Sequence, residues 1–214
     1  MLRNNLTWHE IEQGTPEWFA LRRGKITSST CHPLLVNGKN NGLGTGAWSL
    51  VYQLAGELVT RPMPNDFDTY ATERGKALEP IAIQEYSEQT WQNVREVGFV
   101  ELSDCAGTSP DGIIVGDNKG VETKCLMHPE HMRVIDTGPK KDHVIQCQWH
   151  MFITGFDSWD LVYFHPDALN KSLLIYPLEK DEEIHAKFEK AYEIAANEIQ
   201  RIVTLCSEPT KEMV

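Results

Sequence analysis

The sequence predicts an α/β fold, a central sheet with helices on both faces. Two observations carry that prediction. Strand-like runs crowd the middle of the chain at Val94–Leu102, Gly107–Ser109, Gly112–Val115 and Val121–Leu126, and return at Trp159–His165 and Leu173–Leu178. Segments with apolar residues at helical spacing enclose and interrupt them, at about 69–90, 142–154 and 181–204.

In chain order, TPEWFALRR (15–23) is a short helix, with Thr15 as N-cap, Pro16 in its first turn and Gly24 at its end. Thr27 to Ser29 suit the cap of a second helix. A Gly- and Asn-rich loop covers 37–46, a helix follows at about 47–59, and RPMPNDFD (61–68) is another loop. The helix at 69–90 sets Ala77, Leu78, Ile81, Ala82 and Tyr86 at helical spacing. Residues 127–141, with Pro129, Gly138 and Pro139, read as irregular, and the helix at 142–154 stops at Gly155. The last helix aligns Ile184, Phe188, Ala191, Ala195, Ile199 and Ile202 on one stripe. The 214 residues read as a single domain, with 204–214 as a tail.

The chain carries 20 basic and 31 acidic residues, a formal net charge of −11. That balance argues against a passive nucleic-acid coat, which is normally basic. It does not argue against a nuclease whose carboxylates take up divalent cations before meeting a phosphodiester. Five scattered cysteines without a C-x-x-C read as reduced thiols of a cytoplasmic protein. No apolar run approaches the roughly 18 residues that span a bilayer, and the N-terminus lacks a signal-peptide pattern, so no membrane role is expected.

The chemistry concentrates in SPDGIIVGDNKGVETK, residues 109–124. Asp111 precedes a short strand, a Gly/Asp/Asn turn reverses the chain, and a second strand carries Glu122-Thr123-Lys124. Alternate side chains of a strand share a face, so Glu122 and Lys124 point together and the hairpin can bring Asp111 beside them. Two carboxylates are hard oxygen ligands for Mg²⁺ or Mn²⁺. The Thr123 side chain is expected on the other face, with its backbone carbonyl available to complete the metal shell. Lys124 is placed to act on water or on a phosphate oxygen. Asp-Gly is also an ordinary turn, and Glu-x-Lys also occurs as an exposed ion pair; the full S-P-D-G…E-x-K pattern is far more specific than either part.

Five ordered blocks accompany that pattern: Glu12-Gln13-Gly14-x-x-x-Trp18-x-x-Leu21-Arg22-x-Gly24-x-Ile26-Thr27-x-Ser29; Arg74-Gly75-Lys76-x-Leu78-Glu79; Ser109-Pro110-Asp111-Gly112; Glu122-x-Lys124-Cys125; and Gln146-x-Gln148. Through them the chain resembles the phage lambda exonuclease and YqaJ-like viral recombinase family, part of the PD-(D/E)xK nuclease superfamily, over about residues 8–203. The resemblance implies a restriction-endonuclease-like core, a central mixed sheet flanked by helices. It implies a 5′-to-3′ exonuclease on double-stranded DNA ends that releases 5′-mononucleotides and leaves a 3′ single strand. Two Mg²⁺ ions per site, replaceable by Mn²⁺, are implied, with Asp111, Glu122, the Thr123 carbonyl and Glu79 as ligands. Lys124 is implied to activate water, Gln146 to contact the site, and Arg22, Ser29 and Ser109 to hold the 5′-phosphate. Arg22 also stands at a helix C-terminus, where a cation is favoured in any case. The family further implies a ring-shaped homotrimer, a single-strand annealing partner, and a phage or prophage origin within a bacterial cytoplasm.

Departures from the family and alternative readings remain at this level. Tyr70-Ala71-Thr72 stands where the family carries an apolar strand-separating residue, and His143 and Trp149 stand where it often has a tyrosine. His143, Gln146 and His150 share one helical face that can line a DNA cleft. Cys125-x-x-His128-x-x-His131 has zinc-like spacing, but it offers three ligands, contains Pro129, and shows no fourth. An endonuclease or nickase on the same fold, or an inactive DNA-end scaffold, are the alternative functions.

Overall fold

In the computed structural model, the described residues are 5–39, 42–61 and 70–207, with side chains of 70–72 excluded. The loop expected at 61–68 and the side chains of Tyr70, Ala71 and Thr72 therefore lie outside the described residues, apart from Arg61.

The acidic hairpin forms the centre of a mixed sheet. Its strands are β2 (Val94–Arg95), β5 (Gly112–Ile114), β6 (Lys119–Lys124), β7 (Ser158–Phe164) and β8 (Leu173–Glu179), hydrogen-bonded in that order. β5 and β6 are antiparallel, with Gly112 opposite Val121. β6 and β7 are parallel, from Lys119 opposite Ser158 to Lys124 opposite Tyr163. A parallel pair needs a long crossover, and here α4 (His128–Thr137) and α5 (Lys141–Thr154) supply it. β1 (Thr7–His9), β3 (Phe99–Ser103) and β4 (Ala106–Thr108) make a second, antiparallel sheet in the order β1-β3-β4.

α5 lies between the sheets, packed on β7 and on β3 and β4, and is buried from Cys147 to Thr154. That two-sided burial explains its apolar run. α3 (Tyr70–Thr90) covers the opposite face of the five-stranded sheet, where Tyr86 packs with Ile114, Val121 and Val162. α6 (Glu182–Ser207) lays Phe188, Ala191, Ala195 and Ile199 into the main core against α2 (Thr45–Val59) and α5. Asp181 caps it, its Oδ1 accepting from the Glu183 and Ile184 N–H groups at 2.9 and 3.0 Å.

The structure differs from the sequence reading at four places. The strand expected at 94–102 is two strands in two sheets. Gly98 divides them, and a Cβ there would lie 2.1 Å from the Ile11 carbonyl oxygen. Such a close backbone approach is what glycine in a strand pattern marks. Residues 127–141 are not irregular: they hold α4, because Pro129 sits in its first turn, where no N–H is needed, and Gly138 caps its end at φ +83°. The second helix expected after Ser29 is a turn followed by a 3-10 helix at His32–Leu35. β1 escaped notice because three residues of mixed polarity carry no period.

Candidate active site

β6 places Glu122 and Lys124 on one face, as alternation requires, with both neighbouring strands in register. Glu122 is 2% exposed. Its Oε1 accepts from Lys124 Nζ and from Gln146 Nε2 of α5, each at 2.6 Å. Its Oε2 lies 3.0 Å from His150 Nε2, and neither atom has another partner among the described residues. His150 is fully buried, stacked on Trp159 with ring centroids 4.8 Å apart, and its Nδ1 is 2.7 Å from the Thr108 hydroxyl. With Thr108 donating to Nδ1, the Nε2–H donates to Glu122. Gln146 and His150 therefore point at Glu122, one helical turn apart. His150 does not line an open cleft; it is a buried prop that the sequence reading placed on the surface, and only the carboxylate it supports reveals its role.

Asp111 sits where β5 begins. Its Oδ2 accepts from the Thr123 N–H at 2.6 Å and the Thr123 hydroxyl at 2.8 Å. Thr123, between Glu122 and Lys124 on an alternating strand, points to the other face, and from there its hydroxyl ties Asp111 to β6. Gln13 holds the preceding residue, donating to the Pro110 carbonyl at 3.0 Å and to Val97 at 2.8 Å. Glu79 arrives from α3. Arg74, in the same helix, donates to the Cys125 and Leu126 carbonyls at 3.1 Å and so anchors α3 to the end of β6.

The charges confirm that the three carboxyls feel one another. Burial, and then Glu122 and Glu79, push Asp111 well above the usual carboxyl range. Burial and Glu122 also push Glu79 up. Burial alone would raise Glu122, but Lys124 and His150 outweigh it and hold it at about 2. Burial would lower Lys124, but Glu122 and Asp111 outweigh it and keep it a protonated ammonium. Once ionised, three carboxylates against one ammonium would leave an excess of negative charge in a desolvated corner, and hard oxygens of that kind fit a divalent cation.

A second cluster adjoins the first. Arg22, at the end of α1 (Pro16–Arg22), donates to Ser109 Oγ at 3.0 Å, and to Ser29 Oγ and Thr27 Oγ1 at 3.3 Å. Its guanidinium lies 4.2 Å from the centre of the Trp18 ring, and Trp18 Nε1 also donates to Ser109 at 3.0 Å. Burial lowers Arg22 to about 10, with Glu122 opposing that shift. The three residues singled out in the sequence are thus brought together. Thr27 and Trp18 complete the cluster; both lie in the first sequence block, which was their only signal.

The sequence from 17 to 157 matches the model of the YqaJ-like viral recombinase domain. This chain belongs to that family. No curated protein matches the sequence. Among solved structures, the YqaJ-family chain is similar to the alkaline exonuclease LHK-Exo of Laribacter hongkongensis, at 27% identity and a TM-score of 0.75, covering 89% of this chain and 96% of that one. The complex of LHK-Exo with dAMP is similar at 29% identity and a TM-score of 0.76, with the same coverage. A phage-related exonuclease of Haemophilus somnus, at 15% identity, a TM-score of 0.65 and coverage of 86% and 96%, shares the fold. The restriction-endonuclease-like α/β core expected from the sequence is therefore present.

Proposed function

We propose that this chain is a divalent-metal-dependent DNA exonuclease that digests one strand of a duplex from its 5′ end and releases 5′-mononucleotides. One observation carries the reading: Ser109 belongs to the Arg22 cluster while Asp111, two residues on, belongs to the carboxylate cluster. Two residues of extended chain span about 7 Å, comparable to the separation of neighbouring phosphates along a strand. A terminal phosphate held by Arg22, Ser29 and Ser109 sets the next phosphodiester at the carboxylates, so each cut frees one nucleotide. The dAMP held by the similar exonuclease is a nucleotide of that class.

Asp111, Glu122, the Thr123 carbonyl and Glu79 would hold the cations, in this reading two Mg²⁺, with Mn²⁺ as a substitute. A bound divalent cation supplies charge stabilisation at the phosphoryl oxygens and acidifies water. Lys124, kept protonated, donates rather than accepts a proton and so orients water or the phosphate. Gln146 and His150 fix the Glu122 carboxylate. The homotrimer, the annealing partner and the single-domain reading of 1–214 belong to the same proposal.

The test is digestion of linear duplex labelled at one 5′ or one 3′ end, with Mg²⁺ and in excess EDTA, beside a covalently closed circle. Metal-dependent loss of the 5′ label as mononucleotide, with the circle intact, is expected. Cutting of the circle favours the endonuclease reading, and full activity in EDTA removes the metal model. A 5′-phosphorylated end should react faster than a 5′-hydroxyl end. Arg22→Ala should erase about 2–3 kcal/mol of that preference, the worth of one charged hydrogen-bonding partner. An unchanged ratio would take Arg22 out of the pocket.

A further inference from the structure

The C-x-x-H-x-x-H run assembles differently from its spacing. His128, in the first turn of α4, meets His165 and Asp167 just beyond β7, and one ligand atom from each lies within 4.8 Å of the others. The His128 and His165 ring centroids are 4.2 Å apart. His131, nearly one turn along α4, is 5.6 Å from His165 by the same measure. Cys125 is not part of the group, and none of its members belongs to the nuclease site described above.

A second, independent observation points to a ligand. His165 is 1% exposed, and its Nε2 has no hydrogen-bond partner among the described residues. Beside it, His131 Nε2 is 2.7 Å from the Lys171 carbonyl. Its Nδ1 too is buried without a partner among the described residues. Buried imidazole nitrogens normally find a hydrogen bond or a metal.

We propose that His128, His165 and Asp167 bind a transition-metal cation of the Zn²⁺ class, at a site separate from the nuclease carboxylates. Two imidazoles and one carboxylate suit Zn²⁺, Co²⁺ or Ni²⁺ and do not suit Mg²⁺, which takes oxygen ligands. Ligand atoms about 2.0–2.2 Å from a tetrahedral Zn²⁺ lie roughly 3.4 Å from one another. Contraction from within 4.8 Å is therefore modest, and His128 and Asp167 are exposed side chains able to make it. His165 Nδ1 now accepts the Asp167 N–H at 3.2 Å. Coordination through Nε2 moves the ring proton to Nδ1 and gives up that long contact, with no net change in the ring's protons. Water fills the fourth position. The ion would clip the start of α4 to the β7–β8 turn, beyond the strand ends where Lys124 pairs with Tyr163.

The test uses the full chain carrying Asp111→Asn, which disables the nuclease carboxylates and leaves this group intact. It is titrated with Co²⁺ and followed by visible d–d absorption, then challenged with Zn²⁺ and with Mg²⁺. One equivalent of Co²⁺ with intense tetrahedral bands is expected, displaced by Zn²⁺ and not by excess Mg²⁺. Adding His128→Ala or Asp167→Asn, both at exposed positions, should weaken that binding at least tenfold while circular dichroism stays unchanged. Absence of the tetrahedral bands, or equal affinity in the chains with and without His128→Ala, overturns the proposal.

Discussion

Asp111, Glu79 and Glu122 share one desolvated corner with the Lys124 ammonium, and their protons are not independent. Asp111 and Glu79 have folded values raised above those of the open chain. Without metal they keep protons that the unfolded chain has already lost. The metal-free fold therefore loses stability as pH rises from about 4 through the raised values. A cation needs the ionised forms, so its binding must expel protons and tighten with rising pH. Calorimetry in buffers of different ionisation enthalpy, run in steps upward from the ordinary carboxyl range of about pH 4, should show proton release and stronger binding at higher pH. Binding without proton release would contradict this electrostatic account. Lys124 separates from the ligands by the same reasoning, since an ammonium cannot coordinate. Lys124→Ala should preserve metal affinity and lower turnover by about 10²–10³, the usual loss when one donor to the transition state is removed. Lost affinity with turnover retained at saturating metal would reverse the assignment.

β6 explains why these residues meet. It is a central strand, bonded to β5 on one side and β7 on the other, so its register allows no slip that keeps Val121 in the core. Gly120 is part of that design. A Cβ there would lie 2.3 Å from the Trp159 ring, which in turn stacks on His150, the prop of Glu122. Gly120→Ala should overpack this contact and cost about 1–3 kcal/mol. The measurement is urea unfolding, with a lower midpoint and an unchanged slope expected. A midpoint equal to wild type would mean that Trp159 yields freely. α4 shows the opposite lesson: Pro129 and Gly138 looked like breakers because a proline or glycine reads alike inside an element and at its ends, and only position tells them apart.

The whole molecule carries a net charge of −11 yet is proposed to act on a polyanion. The net charge gives no general attraction to DNA, so the proposed reading relies on local cation uptake at the carboxylates. The proposed ring-shaped trimer would add topological enclosure of the duplex. Sedimentation equilibrium should give three times the chain mass, and a monomer at working concentrations would remove the ring from the proposal. Among the described residues no helix is long and apolar enough to cross a membrane.

The sequence by itself determined the α/β layering, the central strands and the carboxylate hairpin, because period-two alternation and a Gly-rich turn are local properties. It also named Arg22, Ser29 and Ser109, through blocks of residues rather than through any period. Tertiary structure decided the rest. Whether His150 faces solvent or Glu122, whether Thr123 serves Asp111, and whether His128 meets Cys125 or His165 all depend on distant segments. Side-chain partners across a fold are set by packing, and packing leaves no signature in the spacing of any one segment.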